Sequence, residues 1–315
     1  MLRLIGRRLL LMVPTLILAS MLIFALAEVL PGDVGRSILG PYATQEQVSI
    51  LNHQLGSDRP LYDRYLTWAS HFVTGSWGDS PLLKIPVFPT VMKALGNSLV
   101  LAGFALIIIV PTSILLGVFA GLRRDSVIDR TITISTLSMT VIPEFVSGVV
   151  LLYIFAVWLK WLPVTGYPGQ GSPFYERLYY LILPAIPLMF LELGYIARMA
   201  RVGTVQVLSM PYIRTAVLKG VPRSRVVFGH VLRNAMVPTV TVIGSQVGWL
   251  IGGLVVVETL FAYPGIGQVM VQAAQTHDVP VLEASVLMVA IVYMFANLIA
   301  DIVVALLNPR IRKGG

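Results

Sequence analysis

The chain contains no cysteine, which excludes disulfides, thiolate metal sites and thiol nucleophiles together. Charge is scarce as well. Asp, Glu, Lys and Arg make up 12% of the 315 residues, about half of the ~25% that a water-soluble domain carries. Histidine occurs four times (His53, His71, His230, His277), in separate segments without an H-x-x-x-H spacing, which argues against a metal cage. A G-x-x-x-x-G-K-[ST] phosphate loop is missing too. Gly117 and Gly121 are followed by Leu122-Arg123-Arg124 at the end of an apolar run and do not make one. Finally, no basic domain presents the net charge of +8 to a nucleic acid, because the basic residues lie in short runs between apolar blocks. Internal repeats and low-complexity tracts are absent.

What the chain has is long apolar runs. It is 56% hydrophobic, with a mean hydropathy of +0.82. Six blocks qualify as membrane spans: Leu9–Val29, Ser98–Ala120, Ile132–Trp158, Leu178–Ala197, Val237–Val257 and Ala284–Leu307. Runs of about 18 residues or more with few charges can cross a bilayer core of ~30 Å. The expectation is an all-α integral membrane protein with six transmembrane helices. The third block exceeds about 25 residues, and Pro143 inside it gives a reason to kink. Arg3, Arg7 and Arg8 precede the first block, and Ala25-Leu26-Ala27 imitates a cleavage site. The block is nevertheless longer than the about 7–15 apolar residues of a signal peptide, so it is read as an uncleaved helix.

Lysine and arginine set the orientation. With the N-terminus in the cytoplasm, the inner segments hold 16 of the 23 basic residues and only two acids, Asp125 and Asp129. Both termini are therefore expected in the cytoplasm. The chain divides into an N-terminal segment with the first span (1–30), an extracytoplasmic cap region (31–97) and a core of five spans (98–315). In the cap, Thr44-Gln45-Glu46-Gln47 has the form of a capping box, with Gly56 placed to end the helix. Pro60 can begin a second helix, in which Leu61, Tyr65, Trp68, Ala69 and Phe72 recur at helical spacing. Trp158, Trp161, Tyr167, Tyr175, Tyr179 and Tyr180 ring the next outer loop. They suit an interfacial aromatic belt or, alternatively, stacking on a ligand.

The cytoplasmic loop 202–236 is the most informative stretch. Roughly 35 residues separate the fourth and fifth spans, where packed helices usually need about 2–8. A short helix can begin near Ser209 and stop at Gly220, with a second from Ser224 to Asn234 after Val221-Pro222. Such a helix–glycine–helix element fits a partner's groove. Topology alone accounts for its charges, but not for its length or its break at Gly220.

Tyr212-Ile213-Arg214-Thr215 followed by Ala216-x3-Gly220 resembles the EAA loop of ABC-importer permeases. The run Tyr212–Pro238, with Leu232-Arg233-Asn234-Ala235, is similar to the dipeptide, oligopeptide and nickel permease family and its B-type subunits. Arg214-Thr215 and Leu232-Arg233 depart from the general pattern (Glu-Ala and Leu-Pro) in the manner of the peptide/nickel branch. Leu30-Pro31-Gly32-Asp33, Phe261-Ala262-Tyr263-Pro264-Gly265-Ile266-Gly267 and Asn308-Pro309-Arg310 extend the resemblance over essentially the whole chain. It implies a type I ABC importer permease fold in a bacterial inner membrane. It also implies a coupling helix carrying Tyr212, Arg214, Thr215, Ala216, Lys219 and Gly220. The partners implied are a second permease, two cytoplasmic ATPases that bind ATP and Mg, and an extracytoplasmic binding protein. The chain itself would hold no cofactor or catalytic site. Its cargo would be di- or oligopeptides or a similar solute such as a glutathione-like compound or nickel chelate.

Polar residues inside spans are functional candidates. Glu144, Glu192, Gln246, Asn297 and Asp301 lie within blocks, Glu258 at the outer end of the fifth, and Asn297 and Asp301 share a helical face. The acids can pair with neighbouring helices, line a translocation pathway or relay protons. The last of these is the secondary-transporter alternative, disfavoured by the lack of hydropathy symmetry between halves. Gly244, Gly248 and Gly252 repeat every four residues, which suits close helix packing within the chain or against a second permease. Phe261, Pro264 and Gly265 begin a tight turn before a short apolar helix, either an outer gate or a surface loop.

Overall fold

A computed structural model describes residues 2–29, 34–40, 42–55 and 58–307. Leu30-Pro31-Gly32-Asp33, Gly56 and Asn308-Pro309-Arg310 lie outside the described residues. The described residues form helices α1 (Leu2–Val29), α2 (Val34–Leu39), α3 (Gln45–Leu55), α4 (Leu61–Thr74), α5 (Val87–Leu122), α6 (Val127–Val141), α7 (Glu144–Leu151), α8 (Phe174–Leu208), α9 (Pro211–Leu218), α10 (Arg223–Arg225), α11 (Leu232–Leu260), α12 (Ile266–Thr276) and α13 (Val279–Leu307). Two π-helical stretches, Leu152–Trp158 and Val226–Val231, continue α7 and lead into α11.

Among the described residues, five continuous helical segments are long and apolar enough to span: Ile5–Ala27, Val87–Leu122, Phe174–Leu208, Arg223–Leu260 and Val279–Val303. A bilayer core has no water for backbone groups, so such runs must satisfy them internally as helix. The sixth is broken. Val127–Val141 and Glu144–Trp158 meet at a bend of 100°. Ile142 is extended (φ −76°, ψ 120°), as a residue before proline prefers, and Pro143 starts α7 anew without an amide N–H to continue α6. The kink expected from Pro143 is thus a full break.

The chain forms two compact units. The first comprises residues 1–8, 99–263 and 293–315. Its core joins Leu101, Ala105 and Ile109 to Leu183, Leu188, Ile196, Leu250, Leu254, Val257 and Phe261. Helix α8 lies at its centre because small residues let backbones approach it. A Cβ on Gly194 would strike Thr136 and Thr140, one on Gly117 the Ala197 carbonyl, and one on Gly203 would lie 2.6 Å from the Ala235 carbonyl oxygen.

The second unit comprises residues 9–98 and 264–292, around Val87, Val91, Ala94, Leu95, Ile266, Ala273, Val281 and Ala284. Side chains tie its loops down. The capping box at Thr44 closes reciprocally, since the Gln47 amide N–H donates to Thr44 Oγ1 while Gln47 Oε1 accepts from Thr44 N–H. The Ser80 hydroxyl donates to Asp278, and Ser98 Oγ accepts from the Ile266 amide at 2.8 Å.

Candidate functional site

The stretch from Arg201 to Asn234 is where the first unit presents a built surface. Helix α9 begins at Pro211, whose missing N–H costs nothing in the first turn. It ends in a Schellman turn: the Val221 N–H donates to the Ala216 carbonyl (3.2 Å) and the Gly220 N–H to Val217 (3.0 Å). Gly220 carries the required positive φ, 72°. The Ala216-x3-Gly220 spacing is therefore a helix-stop geometry as well as a sequence motif.

Beneath α9, Ile213 is buried with Val207, Val226, Val231 and Ala235, and Ala216 and Val221 pack at the edge of this cluster. The Asn234 side-chain amide donates to Tyr212 Oη at 3.1 Å, linking α9 to the start of α11. On the outside, Tyr212, Arg214, Thr215, Lys219 and Gly220 are exposed. Leu218 is 80% exposed and Phe228 73%, with Val217 also open. Sequence reading did not single out Val217, Leu218 or Phe228; apolar residues in a basic loop were the available signal. Anchored below and apolar above, α9 has the build of a docking helix.

A second feature missed in the sequence braces this surface. Arg201, near the end of α8, holds Asp129 at the start of α6 through Nε–Oδ1 (2.5 Å) and a terminal nitrogen to Oδ2 (2.7 Å). Ser126 Oγ caps α6 by accepting from Asp129 N–H, and Oδ2 of Asp129 accepts from the Asp125 N–H. Both residues had counted only as topology charges. Their pairing is tertiary, across 72 positions.

The intramembrane polar residues separate. Glu192 on α8 is buried, its carboxylate oxygens lack a hydrogen bond of good geometry, and the Gln246 side chain on α11 is the polar group that reaches toward it. Asp301 forms an ion pair with Arg8 at 3.0 Å. Asn297 donates to the Tyr293 carbonyl of its own helix, and Glu144 opens α7 at the break. Glu258 is fully buried. Gly244 faces Ala300 and Gly248 the Tyr293 ring, whereas a Cβ on Gly252 would meet nothing.

In the turn after α11, Phe261 and Tyr263 are buried in the first unit, and the Gly166 N–H donates to the Phe261 carbonyl at 2.7 Å. Burial pushes the Tyr263 phenol above its ordinary range, and the Glu258 carboxylate acts the same way. Pro264 and Gly265 belong to the second unit, where Asn97 Nδ2 donates to the Pro264 carbonyl at 2.8 Å.

Comparison with known proteins accounts for this architecture. Residues 113–313 match the family described as binding-protein-dependent transport system inner membrane component, and residues 1–93 match the N-terminal region of such membrane components. A di/tripeptide transport system permease protein of Pseudomonas aeruginosa is 36% identical over 99% of both chains. A glutathione transport system permease protein of Escherichia coli is 36% identical over 99% of both as well. The chain belongs to this family: it is a multi-pass permease subunit of an ATP-binding-cassette importer in a bacterial inner membrane.

Proposed function

We propose, from that membership, that α9 is the coupling helix of the importer and that Tyr212, Arg214, Thr215, Ala216, Lys219 and Gly220 seat in a cleft of a cytoplasmic ATPase. The observation that carries this is the contrast across α9, with Ile213 locked into a core and Leu218, five residues on, left open on the other side. Closure of an ATPase pair around ATP and Mg moves α9. Because α9 is fastened to α8 and α11, that motion re-packs the spans between inward-open and outward-open arrangements.

The working assembly is this chain, a second homologous permease, two ATPases and an extracytoplasmic binding protein. This chain supplies a wall of the pathway and no catalytic group, and it holds no cofactor of its own. Both termini lie in the cytoplasm, a reading supported by the 16 inward basic residues and by the Arg8–Asp301 pair, which joins the N-terminal end of α1 to the C-terminal end of α13. That pair gives Asp301 a structural partner, and so removes one of the two carboxylates on which a proton-coupled transporter would depend. The cargo proposed is a di- or oligopeptide or a compound such as glutathione, after the two relatives. Glu144, Glu192, Gln246 and, on α13, Asn297 are the pathway candidates. Phe261, Pro264 and Gly265 form the outer gate turn.

Leu218→Glu places a charge on the exposed face of α9 and leaves the Ile213 cluster intact. In the assembled importer we expect ATP-driven uptake to fall at least tenfold while the chain still inserts and folds. Unchanged uptake with unchanged ATPase stimulation by the loaded binding protein would remove α9 from the coupling role.

A further inference from the structure

Helix α4 has two apolar strips, and only one of them is covered. The helix ends cleanly at Gly75 (φ 77°), whose N–H donates to Phe72 while the Ser76 N–H donates to His71. Tyr65, Trp68 and Phe72 form the covered strip. Tyr65 Oη is 2.8 Å from Ser20 Oγ on α1, and the Phe24 ring lies 5.6 Å from Tyr65 and 5.8 Å from Trp68. Phe72 stacks on Trp77, which meets Phe88 edge-on. The other strip consists of Tyr62, Leu66 and Val73, which are four and seven residues apart on one helical face and are 71%, 62% and 86% exposed. Thr67, His71 and Thr74 are exposed on the polar side, about 100° or more round the helix from the middle of that strip, and the Thr67 and Thr74 hydroxyls each bond a carbonyl of α4 itself.

The level at which α4 meets α1 decides what covers the open strip. The apolar span of α1 runs to Ala27. Ser20 and Phe24 precede that end by seven and three residues, which at 1.5 Å per residue is about 10 and 5 Å inside it. Amphipathic interfacial helices sink their apolar face by about 5–10 Å into the headgroup–acyl boundary. On α1 the residues flanking the contact, Met21, Leu22 and Leu26, are exposed and apolar, as a lipid-facing surface requires. Tyr and Trp side chains gather at this boundary for their mixed character. A water-soluble partner would have to enter the acyl region to reach the open strip.

We propose that α4 is a membrane-interfacial helix in the leaflet at the C-terminal end of α1, with phospholipid acyl chains occupying the Tyr62–Leu66–Val73 strip. The segment after the first span is then held by the bilayer as well as by protein contacts. This depends on α1 spanning the membrane and is independent of the coupling role of α9 and of the cargo.

The chain's lack of cysteine permits a direct test. Leu66→Cys, Val73→Cys, Thr67→Cys and His71→Cys are each labelled with a nitroxide. The intact importer, purified with the subunits that accompany it, is reconstituted in phosphatidylethanolamine–phosphatidylglycerol vesicles. Collision with oxygen, which concentrates in acyl chains, is compared with collision with a water-soluble nickel chelate. We expect oxygen to exceed nickel several-fold at 66 and 73, and the reverse at 67 and 71. High nickel access at all four positions would mean a solvated cap and would overturn the proposal. Low access to both reagents at 66 and 73 would overturn it differently, by showing that protein (a second permease or the binding protein) covers the strip.

Discussion

Asp129 and Arg201 act as a unit, and their energetics depend on burial. The Asp129 side chain is 3% exposed and that of Arg201 27%. Asp129→Asn leaves a guanidinium facing a neutral amide in a partly desolvated site. We expect a loss of about 2 kcal/mol, below the ~3–5 kcal/mol of a fully buried broken pair because Arg201 keeps some water. Thermal unfolding in detergent measures it, and the double variant Asp129→Asn, Arg201→Gln should recover part of the loss, since no charge is then stranded. Gly220 poses a different residue-scale question. Its φ of 72° faces open space, so the cost of a side chain there is conformational and not steric. Gly220→Ala should destabilise the α9 stop by about 1 kcal/mol, and Gly220→Asn by less, because asparagine tolerates the left-handed region. Uptake assays of the two variants should rank in that order below the parent.

At the scale of the helix, close approach is what α8 depends on. A Cβ at Gly203 would press on the Ala235 carbonyl, a backbone atom that moves only if α11 moves. Gly203→Ala should therefore cost about 1–3 kcal/mol, as overpacking does. Gly252→Ala, where nothing lies within reach, should leave the folding of this chain unchanged. If Gly252 instead packs against a second permease, the same change lowers the yield of assembled importer without lowering the thermal midpoint of the isolated chain. Size-exclusion chromatography of the complex beside the melting curve of the chain separates the two effects. The break between α6 and α7 belongs to this scale too, because proline decides locally that the helix must stop and restart.

For the whole molecule the prediction is topological. On the proposed orientation, with both termini inside, α9 would face the cytoplasm and α4 the opposite side. A membrane-impermeant maleimide added to intact cells should label Thr67→Cys, on the polar side of α4, and leave Leu218→Cys untouched until the membrane is opened. Labelling of Leu218→Cys in sealed cells would invert the orientation and remove α9 from the ATPase side. The assay needs no background substitution in a chain without cysteine.

Much of the fold was legible in the sequence, for a reason peculiar to membranes. The bilayer core leaves an apolar run no alternative to helix, so composition and length alone determined how many spans to expect and roughly where each lies. The Gly220 stop was legible as well, because a Schellman turn is built from neighbouring residues. What the tertiary structure decided is the partner of each polar or small residue. Helical periodicity assigns a residue to a face, but which neighbour that face meets depends on how the helices pack. Asp301 thus shares a face with Asn297 in the sequence, and it meets Arg8 in the structure. Glu192 finds Gln246, Gly244 and Gly248 find α13, and two charges that had marked only topology, Asp129 and Arg201, meet across α6 and α8.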